Sequence, residues 1–470
     1  MDEQDQADVC FTPATELRER YRRRDLSPVE VAEATLARIA RLNPTLNAYV
    51  TVTAERALAD ARTAERAYRD GTAGALAGIP ISIKDLMPTA GIRTTRGSLL
   101  WQDAVPDEDA PFVERVYAAG AVMLGKTNTP EFGWKGESTN RVVGSTHNPW
   151  RHGRTAGGSS GGAAAAVAAG LGQLAQGSEG AGSIRIPAGF CGVFGLKPSL
   201  GLVPYYPASS VPILAHNGPL TRTVRDAALL MNVTAGQDVR DSQTYPTTTD
   251  FVAACDGGVA GLRVAWSPDL GFAAVDPEVL GLAAAAARRF SELGAHVEEV
   301  SPALPDPWEI VDTIWATAQA TMHLDDFERV RDQLDQGRLP IIEHGRQLRA
   351  TDLARAHVRR NDYFAGMRAF MQGFDLLLTP TLPVTAFPAG ADQPGSVNGT
   401  PTSYLSWTAF TYPFNVTGQP AASVPCGFAA DGLPVGLQIV GRWRDDATVL
   451  RAAAAFEAIA PWAGARPGDG

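Results

Sequence analysis

Residues 262–300 read LRVAWSPDLGFAAVDPEVLGLAAAAARRFSELGAHVEEV. Leu262–Trp266 and His296–Val300 are short runs typical of strands. Between them, Asp276-Pro277 predicts the start of a helix, because aspartate caps helices well and proline is favoured at the first helical position. The stretch therefore predicts a strand–helix–strand unit. Parallel strands need such a crossover, so this unit indicates an α/β fold.

The same alternation continues along the rest of the chain. Ser27-Pro28-Val29-Glu30 is a capping box that begins a helix, which we expect to end before Asn43-Pro44. Two further helices are predicted, at Ala54–Asp70, closed by Gly71, and at Pro111–Ala119. The other strand candidates are Gly78–Lys84, Ala121–Gly125, Leu376–Thr379, Ala421–Pro425 and Val435–Val440. We therefore predict an α/β fold with a mixed sheet covered by helices on both faces.

Composition excludes several functional classes. The 470 residues carry 41 Lys and Arg against 51 Asp and Glu, a net charge of −10. Such a surface repels a phosphate backbone, so we expect no nucleic-acid partner. No apolar run reaches the roughly 20 residues that span a bilayer, so we expect no membrane partner. The acidic start, MDEQDQADV, predicts no secretory signal, and the expectation is a cytoplasmic protein. Four scattered cysteines and seven histidines without ligand spacing predict neither a metal site nor disulfides.

Gly78–Asp85 is the first of three segments that could carry chemistry. Ile79, Ile81 and Ile83 alternate with Ser82 and Lys84, so the pattern predicts a strand with a lysine in apolar surroundings. Lysine is seldom fully buried. It could pair with a carboxylate or lie at the strand end, but adjacent Asp85 points to the opposite face. A functional role for Lys84 stays open at this point.

The second segment is Thr155–Gly162, which contains Gly157-Gly158-Ser159-Ser160-Gly161-Gly162. A phosphate-binding loop would end in Gly-Lys-Ser/Thr, which is absent here. An α/β-hydrolase elbow matches Gly158–Gly162 in letters, but the polar residues before it, including Pro149, do not predict the strand it needs. The alternatives left are a flexible loop and a strained turn that presents a serine to a catalytic relay.

The third segment is Gly177–Ala188, in which small residues lead to Ser183. Such a run allows the backbone N–H groups of Gly180, Ala181, Gly182 and Ser183 to turn toward one point, as an oxyanion hole requires. The alternative is a tight loop in which Glu179 and Arg185 form a buried pair.

Together these segments resemble the amidase signature family. Lys84 precedes Ser159 by 75 residues, and Ser183 follows 24 residues later. Each block alone is weak, but their order and spacing make a specific match that covers nearly the whole chain. The resemblance extends through Gly125–Phe132, Asn148–Trp150, Gly195–Pro198, Pro413–Asn415 and Gly436–Gln438.

The resemblance implies a Ser–cis-Ser–Lys triad, with Ser183 as nucleophile, Ser159 as bridging serine and Lys84 as base. Ser160, Glu179 and Arg185 are the expected supporting residues. Burial can lower a lysine pKa by about 3–5 units, which makes Lys84 a plausible base near neutral pH. The resemblance implies no metal and no organic cofactor. It also implies one domain over residues 1–470, with a helical part (1–70), a catalytic core (75–235), a variable substrate-covering part (240–410) and a C-terminal return to the core (411–470).

Two positions depart from the family pattern. Glu179 stands where the family usually has aspartate, and we expect it to brace Arg185. Ala181 stands where glycine is frequent, and we expect its methyl group to enter the pocket. Gly133 matches a position whose backbone lines the oxyanion pocket in the family. In the variable part, Trp315 and Phe327 are candidates for an apolar acyl or aryl pocket, against a plain role in the core.

The function implied is hydrolysis of non-peptide amides through an acyl-enzyme, with esters and carbamates as further substrates because they present the same carbonyl. The expected partner is this small-molecule substrate, and a homodimer is compatible with the sequence. One alternative is the A subunit of a glutamyl-tRNA amidotransferase, which resembles all three segments and needs a partner chain. Another is a non-catalytic binding subunit. The segment Thr385–Tyr404, rich in Pro, Gly and Ser, is predicted to be a long loop.

Overall fold

Eleven strands form one mixed sheet in the computed structural model, which describes residues 8–468. The acidic start at residues 1–7, on which the expectation of no secretory signal mainly depends, lies outside the described residues. In chain order the strands are β1 Tyr49–Val52, β2 Pro80–Lys84, β3 Val122–Thr127, β4 Thr139–Asn140, β5 Gly144–Ser145, β6 Leu174–Glu179, β7 Phe194–Lys197, β8 His216–Thr221, β9 Arg263–Trp266, β10 His296–Glu299, β11 Leu376–Pro380, β12 Ser396–Val397, β13 Thr400–Pro401, β14 Ala421–Phe428 and β15 Pro434–Gly441.

The order of strands in the large sheet is β1-β3-β2-β6-β8-β7-β14-β15-β11-β9-β10. Strands β2, β3 and β6 run parallel, as do β9, β10 and β11, and the strands between these two groups are antiparallel. The remaining four short strands form two separate pairs, β4 with β5 and β12 with β13. The sheet is thus mixed, as the sequence predicted.

Helices cover the sheet and connect its strands. They are Ala14–Arg23, Pro28–Leu46, Ala54–Asp70, Pro111–Ala118, Gly161–Ala168, Arg185–Cys191, Val224–Thr234, Phe251–Ala254, Pro277–Glu292, Trp308–Thr321, Phe327–Val330, Leu339–Gln347, Ala350–Met371, Tyr412–Thr417 and Asp446–Ile459, with short 3₁₀ turns at Leu99–Trp101, Glu131–Gly133, Arg331–Gln333, Gln336–Arg338 and Ser406–Thr408. Across residues 8–468, no helix combines the length and the apolar character needed to cross a bilayer.

Apolar clusters pack on both faces of the sheet. In β11, Leu376 and Leu378 belong to one cluster and Leu377 to another. Successive residues of a strand point to opposite faces, so this division shows that both faces are covered. The prediction of helices on both faces is therefore confirmed.

The strand–helix–strand unit predicted at 262–300 is confirmed. Strands β9 and β10 are parallel, and the helix between them begins at Pro277 with the Asp276 side chain accepting a hydrogen bond from the Glu278 N–H. The helix Ala54–Asp70 also ends as predicted, with Gly71 in the left-handed conformation.

Three local predictions differ from the structure. The helix that begins at Pro28 does not end before Asn43-Pro44 but continues to Leu46. Pro44 lies in the last turn, and that turn is closed by the Asn47 N–H donating to the Asn43 carbonyl at 2.7 Å. The segment 1–70, expected to be helical, contributes strand β1. The third segment begins within strand β6, so Gly177-Ser178-Glu179 is strand rather than loop.

Candidate active site

Lys84 is the last residue of β2, a central strand between β3 and β6. Its side chain is fully buried, and Nζ donates to Ser159 Oγ at 2.7 Å and to the Ser178 carbonyl at 3.1 Å. The Lys84 N–H donates to Gln176 Oε1 at 3.1 Å, which links β2 to β6. The strand end thus fixes the amine against the serine of the second segment.

The surroundings of Lys84 favour the neutral amine. Burial lowers the pKa of Lys84 well below its usual range, and the more distant charge of Glu179 opposes this only in part. Asp85 is turned away, and its Oδ2 accepts a hydrogen bond from the Thr95 N–H at 3.0 Å. Within residues 8–468, no carboxylate forms an ion pair with Lys84. The reading in which Lys84 is held by a carboxylate is therefore wrong.

Ser159 and Ser160 lie just before the buried helix Gly161–Ala168. The peptide bond between Gly158 and Ser159 is cis. Ser160 connects the second and third segments, because its N–H donates to the Ser183 carbonyl at 3.1 Å and its hydroxyl donates to the Ser178 carbonyl at 3.2 Å. The chain approaches closely here, since a Cβ on Gly162 would collide with backbone atoms.

Ser183 and Ser159 line the same small cavity, of about 50 Å³. Residues 180–183 form the turn between β6 and the helix Arg185–Cys191. Within the described part of the chain, the backbone N–H groups of Gly180, Ala181, Gly182 and Ser183 donate to no protein acceptor. Buried N–H groups are nearly always hydrogen-bonded, so this turn has donors available for a substrate oxygen.

Glu179 and Arg185 hold this turn from both ends. Arg185 Nε donates to Glu179 Oε1 at 2.9 Å, and Glu179 Oε2 accepts the N–H groups of Ile184 and Arg185 at 3.0 and 3.2 Å. Both side chains are fully buried. Burial alone would raise the pKa of Glu179, but the Arg185 charge and hydrogen bonds outweigh it and lower that pKa. The longer Glu179 side chain therefore still reaches the arginine, as the sequence predicted.

The predictions for Gly133, whose backbone was expected to line the oxyanion pocket, and for Ala181, whose methyl group was expected to enter it, hold only in part. Gly133 lines the cavity beside Ser159, but its N–H donates to the Pro130 carbonyl at 2.9 Å and is not available to a substrate. The Ala181 methyl group does not enter the cavity. It belongs to an apolar cluster, and the Ala181 carbonyl accepts from Thr411 Oγ1 at 2.7 Å.

Known proteins resemble this chain over nearly its full length. The Amidase family profile matches residues 30–450. The chain belongs to the amidase family. An acylamidase from Rhodococcus erythropolis is 44% identical over 463 residues, covering 97% of each chain. A bacterial aryl acylamidase of the amidase signature family has a TM-score of 0.91 at 34% identity, covering 96% of this chain and 97% of that one.

A second kind of relative is also present. The A subunit of the glutamyl-tRNA(Gln) amidotransferase from Chloroflexus aggregans is 39% identical over 472 residues, covering 94% of this chain and 95% of the relative. The family match and the acylamidase relatives nevertheless show that the chain is an amidase, a hydrolase acting on carbon–nitrogen bonds of non-peptide amides.

Of the two aromatic residues predicted to line a pocket in this amidase, only Trp315 does so. Trp315 lies on the helix Trp308–Thr321 and contacts the cavity beside Gly180. Phe327 lies instead in a separate apolar cluster with Val330 and Leu334, under the Arg346 guanidinium at 4.9 Å. The helix that carries Trp315 ends at Thr321, and the chain after it leads Phe327 into that cluster.

Several cavity residues of the amidase were not found from the sequence. They come from a loop and a helix outside the three segments, and they are Tyr205, Ser209, Ser210, Val211, Ala215 and Gln319. No periodic pattern or spacing marks them, because their position depends on how the chain after β7 folds over the cavity. Within residues 8–468, no group of three or more His, Cys, Asp or Glu residues is arranged to hold a metal ion.

Proposed function

We propose that this amidase hydrolyses non-peptide amides with an apolar or aryl group through an acyl-enzyme on Ser183. The observation that carries the proposal is the 2.7 Å contact between Lys84 Nζ and Ser159 Oγ, made by a fully buried lysine without an ion-pair partner in the described chain. A neutral amine accepts a proton from the Ser159 hydroxyl across this contact. Ser159 can accept and donate at once, which suits it to pass a proton between Ser183 and Lys84.

In the first half of the reaction, Ser183 Oγ attacks the carbonyl carbon. The Ser183 proton passes to Ser159 as Ser159 gives its own proton to Lys84. The N–H groups of residues 180–183 bind the negative oxygen that forms. The carbon–nitrogen bond then breaks, and the relay returns the proton to the leaving amine.

In the second half, water attacks the acyl-enzyme ester, and the same relay takes the water proton and returns it to Ser183. The acid is released and the enzyme is restored. Because esters and carbamates present the same carbonyl, we extend the proposal to esters and, as a further class, to carbamates.

The lining of the cavity supports apolar or aryl substrates. Leu86, Phe132, Val211 and Trp315 contribute apolar side chains to it, and Tyr205, Ser209, Ser210 and Gln319 contribute polar groups. One solved relative is named an aryl acylamidase, which supports an aryl group in the substrate.

The test is the intact mass of the purified protein after exposure to a small phosphonyl fluoride. We expect one adduct on the wild type, none on Ser183→Ala and slowed labelling of Lys84→Ala, by about 10²–10⁴-fold if the lysine acts as general base. An adduct on Ser183→Ala would overturn the assignment of the nucleophile. No adduct on the wild type would overturn the proposal, and would mean either that the oxyanion site is unformed without a partner chain, as in an amidotransferase subunit, or that the fold no longer catalyses.

The similarity to an amidotransferase A subunit keeps a second candidate, a glutaminase that works with a partner chain. Hydrolysis of 4-nitroacetanilide and of glutamine by the purified chain distinguishes the two. We expect the anilide to be cleaved and glutamine to be untouched. Glutamine hydrolysis that appears only with a partner chain would overturn the stand-alone assignment.

A further inference from the structure

A second, larger pocket adjoins the catalytic cavity. Its volume is about 310 Å³, and Met87, Arg96 and Met322 contribute to its wall. It shares five lining residues with the catalytic cavity, namely Leu86, Phe132, Tyr205, Ser209 and Ser210. We call it the outer pocket. A substrate bound at Ser183 and too large for the 50 Å³ cavity would extend into this space.

Arg96 is the charged residue in the lining of the outer pocket. Its main chain is fixed on both sides, because its N–H donates to the Asp85 carbonyl at 3.0 Å and its carbonyl accepts the Phe132 N–H at 2.8 Å. Asp85 follows Lys84 directly, and Phe132 lines both pockets. The arginine is therefore tied to the strand end that carries the proposed base.

The Arg96 guanidinium has no anionic partner within the described residues. It lies over the Trp101 ring, 4.2 Å from the ring centre, and it donates to no carboxylate or carbonyl there. The Asp85 charge acts on Arg96 from a distance, but Asp85 forms no ion pair with it in the described chain, and its Oδ2 accepts a hydrogen bond from the Thr95 N–H at 3.0 Å. Arg96 is half-buried, so a neutral substrate in the outer pocket would displace water from a charge without replacing its hydrogen bonds, which costs free energy. A carboxylate would replace them, and it matches the planar guanidinium.

We propose that the outer pocket is a second substrate subsite and that Arg96 binds a carboxylate carried by the substrate away from the scissile bond. This inference rests on the proposed function and names a substrate class for the same site. The preferred substrates would be amides with an apolar body, an amide bond at Ser183 and a free acid at the far end.

The backbone at Arg96 guides the choice of variants. Its φ is +56°, in the left-handed region that asparagine tolerates better than most residues. Arg96→Asn therefore removes the charge without adding strain, and Arg96→Lys keeps a charge but loses the planar fork. Arg93→Asn is the matched control, because Arg93 lies three residues away, does not line the outer pocket, and bonds the Gln102 carbonyl.

The experiment compares two pairs of amides that differ in one carboxylate. On the acyl side these are the 4-nitroanilides of glutaric and pentanoic acids, and on the amine side they are 4-acetamidobenzoate and 4-methylacetanilide. We expect the wild type to favour the acid in at least one pair by about tenfold in kcat/KM, because a charge-assisted hydrogen bond contributes a preference of about this size. In Arg96→Asn this preference should vanish, mainly because kcat/KM for the acid falls; Arg93→Asn should behave as the wild type. Arg96→Lys should keep part of the preference.

Two outcomes overturn the inference. One is that neither acid is preferred by the wild type, and the other is that Arg96→Asn affects both members of a pair equally. Calorimetric titration of Ser183→Ala with the glutaric anilide gives a readout without turnover. Binding that depends on Arg96, with no hydrolysis by the wild type, would uphold this inference and overturn the proposed function. Hydrolysis of neutral amides, together with no effect of Arg96 on the preference for acids, would uphold the proposed function and overturn this inference.

Discussion

At the scale of single residues, the site depends on a lysine that the fold keeps away from carboxylates. The strand pattern placed Lys84 in apolar surroundings, but the roles of Lys84, Ser159 and Ser183 followed from the resemblance to the amidase signature family. The cavity residues Tyr205, Val211 and Gln319 could not be predicted in the same way. Their contact with the cavity is set by tertiary packing between distant parts of the chain, which leaves no local pattern.

The burial of Lys84 leads to a prediction about how the free energy of unfolding depends on pH. Because burial lowers its pKa in the folded protein, the unfolded chain, with a lysine pKa near 10.5, binds one more proton in the interval between the two pKa values. Stability conferred by a neutral Lys84 therefore rises with pH, by about 1.4 kcal/mol per pH unit. We expect the free energy of unfolding of the wild type, minus that of Lys84→Met, to rise with pH through this interval, below the usual lysine pKa of 10.5. Urea titrations at several pH values measure it.

Lys135 offers the opposite case as a control. Burial lowers its pKa, but the carboxylates of Glu137, Asp335 and Asp392 outweigh burial and raise it. Lys135 is thus protonated in both folded and unfolded states between pH 7.5 and 9. The difference between the wild type and Lys135→Met should stay flat with pH. A flat line for Lys84→Met as well would mean that Lys84 is charged in the folded protein.

At the scale of elements, helices with clear caps and strands with clear alternation were predictable. The strands β7 and β8 were not, because Phe194–Lys197 is short and His216–Thr221 contains Gly218 and Pro219, which are unfavourable in strands. Both strands are formed by their neighbours in the sheet rather than by local preference. The turn at 180–183 was predicted as a functional element, but the strand β6 that leads into it was not.

That turn gives a prediction about its contact with the helix Trp308–Thr321. A Cβ on Gly180 would lie 2.7 Å from Trp315 Cζ3, so Gly180→Ala must displace the indole ring into the cavity or shift the turn. We expect kcat/KM for 4-nitroacetanilide to fall by about 10–10²-fold, because displacing groups close to the reacting atoms lowers the rate by this order. Adding Trp315→Phe should restore most of the activity, because the smaller ring leaves room for the methyl group.

The control is Gly281→Ala, since Gly281 lies in an exposed helix position with nothing within 4 Å of an added Cβ. It should leave kcat/KM unchanged and raise stability by about 0.5–1 kcal/mol. If Gly180→Ala keeps full activity, Trp315 does not limit the size of the cavity.

At the scale of the whole molecule, the C-terminal strands β14 and β15 lie in the middle of the sheet, between β7 and β11. The sequence predicted both as strands but not their place, because strand order is decided by pairings between distant residues. One consequence is that β15 supports the site directly. Gln438 Oε1 accepts from Arg185 Nη1 at 2.6 Å, while Gln438 Nε2 donates to the Phe410 carbonyl at 2.7 Å.

Gln438→Leu should therefore act on the active site although the residue does not line the cavity. The change leaves the buried Phe410 carbonyl and one Arg185 donor without a partner, which should lower the free energy of unfolding by about 2–4 kcal/mol. Arg185 then holds Glu179 less firmly, and Glu179 fixes the turn that presents residues 180–183. We expect slower phosphonylation of Ser183 and a lower kcat with little change in KM, measured below the unfolding transition of the variant.

Gln333→Leu, at an exposed position, is the matched control. Unchanged phosphonylation in Gln438→Leu would mean that the turn keeps its shape without the C-terminal strands, and that β15 contributes to stability alone.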